Sequence, residues 1–395
     1  MESQSSWQGT RIEANKKGFA YVFHSQSEVP YVFLESYGQG FHNKVQLVMN
    51  TCTAELAVQK VSNDQLTFEG EFDLIKPPKD REIRMFDYLN ALVRCPINED
   101  AKRLNPRWPA YISYEAAPHF IKTGVQVSTV AQRVSYWKLC NGGCLADWSR
   151  SCKEDAPEAL TFPISIMAQC IAQVCETLEF MYTADNEPIY HCDLHLSNVF
   201  VHFNNDDCDL PDFLIGDLGL TRTASESLAD TLKSEERDSL GTAPGAVSMT
   251  TPPDIPPLGQ RRQWDTGRFI ACLEDITRDI FRTRAGEQSE ELRGLRGLIS
   301  LTAWLNSQEA TLAARNPGSR PPSLRPIIDK AKMLEEAARA AELNTEAYKA
   351  FTAFAKSRRE KMFGHNKPFV VSGEKEEAEQ YGHMMIAGPW SLVKT

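Results

Sequence analysis

The spacing of apolar residues along the chain predicts a β-rich first third and a mainly helical remainder. Runs of aromatic and β-branched residues are typical of strands, whereas apolar residues three or four apart are typical of amphipathic helices. The predicted strands are residues 18–23, 29–35, 54–62, 110–114, 124–130 and 131–139. The predicted helices are residues 80–93, 163–182, 263–281, 290–306, 322–340 and 341–363. This order indicates an α+β protein.

One polar stretch of the second half is framed by apolar residues. Residues 190–201 read Y-H-C-D-L-H-L-S-N-V-F-V, which places Asp193 five residues before Asn198. Asp217 follows in D-L-G, after the apolar run 213–215. This is the spacing of a phosphoryl-transfer site, in which one carboxylate takes or orients the proton of an acceptor hydroxyl. An amide and a second carboxylate hold the magnesium ions that bridge the nucleotide phosphates.

This constellation resembles the catalytic loop and the metal-binding turn of the protein-kinase family. The resemblance extends to the first third, where Gly38, Gly40 and Val45 fit the glycine-rich lid G-x-G-x-x-G-x-V. Asn43 occupies the place of the third glycine, and asparagine tolerates positive φ better than most residues. The resemblance implies that this hairpin covers the phosphates of ATP with backbone N–H groups.

The resemblance also implies a phosphate-binding lysine on the strand 54–62 and a glutamate partner on the helix 80–93. Gln59 occupies the usual lysine position and Lys60 follows it, a shift that turns a strand side chain to the other face. Either a bulge turns Lys60 towards the phosphates, or the phosphate-binding lysine is missing and Lys60 faces solvent. We favour Lys60 as the phosphate-binding lysine. Glu82 is the expected partner, and the alternative for it is an exposed first-turn acid, which the helix dipole favours.

Two residues of the catalytic loop depart from the protein-kinase pattern. Cys192 replaces the common arginine, so control through a phosphorylated loop docked on that arginine is not expected. His195 stands where a lysine usually contacts the γ-phosphate, and we retain it as a catalytic residue. D-L-H resembles aminoglycoside and choline kinase-like phosphotransferases and some fungal protein-kinase-like proteins. A neutral imidazole stabilises phosphate charge less than a lysine does.

Further residues receive roles from the resemblance. Trp137, before the hinge-like L-C-N-G-G, is expected behind the adenine pocket. Asp265 is expected to cap the backbone of the catalytic loop, and its alternative is an acid at a helix start. Asp254 and Arg320 are expected to form an ion pair that links the end of the activation segment, residues 220–254, to the last helices.

Composition and charge narrow the class of protein. The 395 residues are 42% hydrophobic and 24% charged, as in folded globular proteins. The net charge of −10 argues against a general nucleic-acid or anionic-membrane binder. No apolar run reaches the ~18 residues of a membrane span, and the polar N-terminus has no signal-peptide core, so we expect a cytoplasmic or nuclear protein. The ten cysteines are scattered without a CxxC pair, so a zinc site is not expected.

The resemblance to protein kinases implies an α+β, bilobal protein-kinase-like fold. An N-terminal extension (1–29) precedes the domain (30–340), whose β-rich small lobe ends near 138 and whose helical large lobe begins near 139; a helix and tail (341–395) follow. The expected function is ATP- and Mg²⁺-dependent transfer of the γ-phosphate to Ser or Thr of an unidentified protein substrate, with no nucleic-acid or membrane partner. The alternatives are a pseudokinase that serves as a binding module and a small-molecule phosphotransferase of the aminoglycoside or choline-kinase type.

Overall fold

The computed structural model describes residues 11–12, 21–22, 31–39, 43–50, 56–62, 81–123, 126–154, 160–204, 210–226, 263–315, 321–362, 370–371 and 386–387. They form a mixed α+β structure with an antiparallel sheet and a mostly helical remainder, in agreement with the predicted class. The chain divides into two compact units. The first comprises Met1–Asp80, Pro109–Leu139 and Phe363–Thr395, and the second comprises Arg81–Trp108 and Cys140–Met362.

The helices predicted from apolar spacing are all present, and α5 extends beyond its predicted end at residue 306. The strands are β1 (Arg11–Ile12), β2 (Tyr21–Val22), β3 (Tyr31–Gln39), β4 (Asn43–Asn50), β5 (Leu56–Ser62), β6 (Tyr111–Thr123), β7 (Gln126–Lys138), β8 (Gly143–Cys144), β9 (Ile189–Tyr190), β10 (Val199–His202), β11 (Asp212–Ile215), β12 (Arg222–Thr223), β13 (Val370–Val371) and β14 (Ile386–Ala387). The helices are α1 (Arg81–Arg94), α2 (Leu145–Glu154), α3 (Ile164–Thr183), α4 (Arg268–Thr283), α5 (Glu290–Arg315), α6 (Arg325–Glu342) and α7 (Glu346–Met362). Short 3-10 turns cover Glu99–Arg103, Leu196–Asn198 and Leu218–Leu220, and a π-helical turn, Gln263–Gly267, leads into α4.

Five strands of the first unit form an antiparallel sheet in the order β3-β4-β5-β7-β6. One face carries a buried cluster of apolar side chains, namely Val48, Ala57, Val134 and Tyr136. The sequence predicts two strands at 124–130 and 131–139, but β7 is continuous over Gln126–Lys138. No glycine or proline interrupts the strand pattern at that point, so nothing ends the ladder.

Helix α3 is the centre of the second unit, since every residue from Ile164 to Tyr182 is buried. Helix α6 packs against it, and two carboxylates fasten the pair. Glu342, at the end of α6, accepts hydrogen bonds from the N–H groups of Ile164 (2.9 Å) and Ser165 (3.0 Å). Glu179 of α3 accepts one from the N–H of Leu324 (2.8 Å), at the start of α6. The helices therefore run antiparallel, and each caps the first turn of the other.

Trp148 of α2 is the centre of a second, aromatic part of this core. Its ring is fully buried and contacts four phenylalanine rings, with centroids 5.6 to 6.4 Å away. These are Phe162, Phe203, Phe351 and Phe354. The last two belong to α7, so the helix that the sequence pattern places after the domain is part of the core of the second unit. None of the helices described is long and apolar enough to span a bilayer.

Candidate active site

The polar loop between β9 and β10 is joined to the turn that follows β11. Strands β10 and β11 pair in register, with Val199 opposite Ile215. Beyond this pair, the N–H of Gly216 donates to the carbonyl oxygen of Asn198 at 2.9 Å. Asp217 is the next residue, so one backbone hydrogen bond links the segments that carry Asn198 and Asp217.

Asp193 and Asn198 are brought together within the loop. The amide nitrogen Nδ2 of Asn198 donates to the backbone oxygen of Asp193 at 2.8 Å and lies 3.3 Å from its carboxylate Oδ2. Both contacts use the donor end of the amide, so its oxygen Oδ1 faces away from Asp193. The side chain of Asp193 is 27% exposed, which leaves its carboxylate accessible from solvent.

His191 joins the loop that carries Asp193 to the turn that follows β11. Its ring nitrogen Nδ1 accepts the N–H of Asp193 at 3.3 Å, and Nε2 lies 3.0 Å from the carbonyl oxygen of Gly216. A carbonyl oxygen only accepts, so the proton of the neutral ring belongs on Nε2. The side chain is fully buried, and burial lowers the pKa of the imidazole below 6.5. His191 is therefore a neutral group that holds the loop in place.

Asp265 holds the loop from the π-helical turn before α4. Its two carboxylate oxygens accept the N–H groups of His191 and Cys192, each at 2.7 Å. The expectation that Asp265 caps the backbone of this loop is therefore confirmed, and Asp265 is also the acid in the first turn of a helical segment, as the alternative had it. Burial raises the pKa of this carboxyl to about 7, although both backbone hydrogen bonds oppose the shift.

Two residues of the site adopt the left-handed backbone conformation that favours glycine. Cys192 has φ 65° and Asp217 has φ 63°, and among the described residues these are the only non-glycine positions with positive φ. The conformation at Cys192 accompanies the hydrogen bond of its N–H to Asp265. Unfavourable backbone conformations tend to gather at functional sites, where surrounding contacts hold them. Aspartate is one of the few non-glycine residues that adopt this conformation readily, whereas the residue type at Cys192 gives no such signal.

His195 has a structural contact that its position in the motif does not predict. Its Nδ1 accepts the N–H of Ser197 at 3.2 Å and so caps the 3-10 turn Leu196–Asn198. The neutral ring then carries its proton on Nε2, which lies 3.7 Å from Oδ2 of Asp193. The ring therefore supports the loop at one nitrogen and faces Asp193 with the other.

Within the first unit, Lys60 shares a sheet face with Val45 and Trp137. Lys60 is directly opposite Val45 on β4 and Ser135 on β7, and its Nζ lies 5.4 Å from the centre of the Trp137 ring. The pairing of β5 is regular on both sides, so no bulge re-aims Lys60, contrary to one of the two expected arrangements. Gln59 points to the opposite face, where it is buried and donates to the Tyr136 hydroxyl at 3.1 Å. Because side chains along a strand alternate between the two faces of a sheet, Val45, Lys60 and Trp137 lie on the same face.

The other predicted residues are placed as follows. Gly38 lies in β3 opposite Val45, beside a shift of register. Glu82 is buried in α1 with 6% of its surface exposed, so the alternative of an exposed first-turn acid is wrong. Lys60 belongs to the first unit and Glu82 to the second, and their pairing stays a prediction. Gly40 and the predicted pair Asp254 and Arg320 lie outside the described residues.

Two arginines near the loop were not predicted from the sequence. Arg268, the first residue of α4, places Nη1 3.4 Å from Oδ1 of Asp193. Arg81, the first residue of α1, donates from Nε to the carbonyl oxygen of Thr221 at 2.9 Å and pairs with Glu226 at 2.6 Å. Both contacts join segments far apart in sequence, so no local pattern announces them. The only local signal is that Arg268 follows Asp265 by one helical turn.

Possible metal ligands are scattered through the described part of the chain. It contains no cluster of three or more His, Cys, Asp and Glu side chains able to hold a metal ion. All eight cysteines that it includes are free thiols. A magnesium ion, however, often takes only one or two protein oxygens and completes its shell with phosphate and water. The amide oxygen of Asn198 and the carboxylate of Asp217 are ligands of this type. Comparison of the chain with models of protein families and with curated protein sequences gives no match.

Proposed function

We propose that this chain is an ATP-dependent phosphotransferase with a bilobal protein-kinase-like fold, and that it acts on Ser or Thr hydroxyls of proteins. The observation that carries the proposal is the joined loop and turn. Asp193 and Asn198 contact each other, and a hydrogen bond from Gly216 links Asn198 to the segment of Asp217. Asp265 and His191 hold the loop through buried contacts. Phosphoryl transfer depends on positioning of this kind more than on covalent chemistry by the protein.

Each residue of the loop and turn has a role that suits its contacts. The exposed carboxylate of Asp193 accepts a hydrogen bond from the acceptor hydroxyl and takes its proton late in the transfer. The amide oxygen of Asn198 and the carboxylate of Asp217 suit Mg²⁺, whose charge offsets the negative charge of the phosphates. His195 supports the loop through Ser197 and presents an N–H towards the site.

The shared face of Val45, Lys60 and Trp137 supports a nucleotide ligand. It places apolar side chains beside an ammonium group, and ATP combines an apolar base with charged phosphates. Hydrogen bonds from the ammonium to phosphate oxygens are charge-assisted and correspondingly strong. The choice of a protein acceptor rests on the sequence motifs of residues 220–254 and of Arg320. A small-molecule acceptor remains the second candidate because of D-L-H.

Nucleotide binding with and without Mg²⁺, followed by autophosphorylation with labelled ATP, tests the proposal. Asp193→Asn is expected to keep nucleotide affinity within about twofold and to lower transfer by roughly 10²–10⁴-fold, since it removes the base but keeps its shape. Panels of protein and small hydroxyl acceptors distinguish the two candidates. Absence of binding by the wild-type chain at millimolar ATP with Mg²⁺ would contradict the proposal and leave a kinase-shaped binding module.

Asp217→Asn is expected to behave differently from Asp193→Asn. It removes a charge that binds Mg²⁺, so nucleotide affinity should become insensitive to the metal and transfer should be lost as well. The measurement is titration of ATP with Mg²⁺ and with EDTA for both variants. Identical behaviour of the two would contradict the separate roles of base and metal ligand.

A further inference from the structure

The proposed site lacks the lysine that normally contacts the transferred phosphate, and His195 is a weak substitute for it. Its Nδ1 is engaged by the N–H of Ser197, so a neutral ring has one N–H to offer. An imidazole also carries a charge only when protonated, unlike lysine. Phosphoryl transfer relies on fixed positive charge around the phosphate oxygens, and a cation near Asp193 would add the charge that His195 does not supply.

Arg268 is the cation that the structure places there. Its Nη1 is 3.4 Å from Oδ1 of Asp193, and the side chain is 39% exposed, so the guanidinium borders both the carboxylate and solvent. Its position is set by a rigid neighbour. Asp265, one helical turn earlier, is fully buried and bonded to the loop by two contacts of 2.7 Å. The start of α4 and the catalytic loop therefore hold a fixed relation.

The contact between Arg268 and Asp193 suits exchange with a phosphate group. A separation of 3.4 Å exceeds the roughly 2.7–2.9 Å of a charge-assisted hydrogen bond, so the pair is loose. A guanidinium presents a planar fork of donors that matches two oxygens of a phosphate and stays charged at every physiological pH. Its contact with Asp193 also keeps it beside the carboxylate where the acceptor hydroxyl is expected.

We propose that Arg268 is a phosphate-binding residue of this site and supplies the permanent charge that the family places on a lysine. In the step, the acceptor oxygen bonds to the γ-phosphorus while the bond from that phosphorus to the β,γ-bridging oxygen breaks. ADP leaves with the bond's electron pair, and the hydroxyl proton passes to Asp193. Arg268 neutralises the non-bridging oxygens of the transferred group. This inference rests on the proposed phosphotransferase function.

The test compares binding of Mg·ATP and Mg·ADP by the full-length protein and its Arg268→Gln variant. Loss of a charge-assisted contact to the γ-phosphate should weaken Mg·ATP roughly tenfold or more and leave Mg·ADP within about twofold. Transfer should fall on the order of 10²–10³-fold. Arg282→Gln is the matched control, because Arg282 lies on the same helix with 75% of its side chain exposed and should leave binding and transfer at wild-type values.

Two additional measurements separate a chemical role from a structural one. Arg268→Lys keeps the charge and should retain more transfer than Arg268→Gln, and added guanidinium at low millimolar concentration should partly restore transfer to an Arg268→Ala variant. Equal weakening of Mg·ATP and Mg·ADP binding in Arg268→Gln overturns the inference. A gain of transfer in that variant also overturns it, because Arg268 would then restrain Asp193. If the wild-type protein binds no nucleotide, both the inference and the proposed function are wrong. If the wild type transfers phosphate and Arg268→Gln transfers it equally well, the inference is wrong and the proposed function stands.

Discussion

At the scale of single residues, the stability of the site is tied to two buried ionisable groups with opposite responses to pH. Burial raises the pKa of Asp265 from 3.8 to about 7, so the folded protein binds this proton more tightly than the unfolded chain does. Its contribution to stability is therefore fully present below pH 3.8 and is lost as the pH rises through about 7. Burial lowers the pKa of His191 below 6.5, so its contribution is present above pH 6.5 and is lost as the pH falls through the folded value.

Urea unfolding from pH 4 to pH 8 separates these two contributions. The difference in unfolding free energy between wild type and Asp265→Asn should shrink as the pH rises from 4 to 7 and should be constant above that range. The difference between wild type and His191→Gln should grow as the pH rises towards 6.5 and should be constant above it. Flat differences across the whole range would mean that neither group has a shifted pKa in the folded protein.

His195 is expected to be replaceable by a residue that keeps its cap. The side-chain oxygen of an asparagine can accept the N–H of Ser197 in place of Nδ1 of His195. A lysine brings a charge but has no acceptor atom. His195→Asn should therefore melt near the wild-type temperature, and His195→Lys should lose about 1 kcal/mol of stability. Thermal unfolding measures the stability of both variants, and parallel assays measure their phosphate transfer. A Lys variant as stable as the Asn variant would show that the cap contributes nothing.

At the scale of elements, α3 and α6 are held by two buried carboxylates at opposite ends of the pair. Glu342 accepts three hydrogen bonds at the start of α3, from the N–H groups of Ile164 and Ser165 and the Ser165 hydroxyl. A negative charge at a helix N-terminus is also favoured by the helix dipole. The pair is therefore secured where each helix has unsatisfied backbone N–H groups.

Glu342→Gln should destabilise the second unit by about 1–3 kcal/mol, since an amide replaces a charged acceptor and brings donors towards N–H groups. Chemical unfolding monitored by circular dichroism measures the loss. Glu336→Gln is the matched control, because Glu336 is an exposed residue of the same helix and should change stability by less than about 0.5 kcal/mol. Equal effects of the two changes would mean that the cap carries no special energy.

The elements also show where prediction from sequence reaches its limit. The amphipathic spacing of 80–93 and 163–182 was sufficient to locate α1 and α3, because periodicity is a local property. The sequence was not sufficient to tell which face of the sheet carries Lys60. The shift relative to A-x-K leaves two arrangements, and only the pairing of β5 with β4 and β7 distinguishes them. Arg268 was missed for the same reason, since its contact with Asp193 spans 75 positions of the chain.

At the scale of the whole molecule, the boundary of the second unit depends on α7. The resemblance to protein kinases ends the predicted domain at 340, and the charged helix predicted at 341–363 carries no sign of its packing partner in the sequence. In the structure Phe351 is 1% exposed and contacts both Trp148 and Phe162, with ring centroids 5.6 and 5.2 Å away. The aromatic core of the second unit therefore extends to a helix that follows the last predicted element of the domain.

Phe351→Ala in the full-length chain should therefore cost about 3–5 kcal/mol, as expected when a buried ring is removed and a cavity remains. The tryptophan emission of the protein should shift towards the red, because the fully buried indole of Trp148, one of seven tryptophans, gains access to water. The control is Trp304→Ala, which removes an aromatic ring that is 56% exposed and should change stability by less than about 0.5 kcal/mol. If Phe351→Ala unfolds at the same denaturant concentration as wild type, α7 is an appendage and the domain ends at 340.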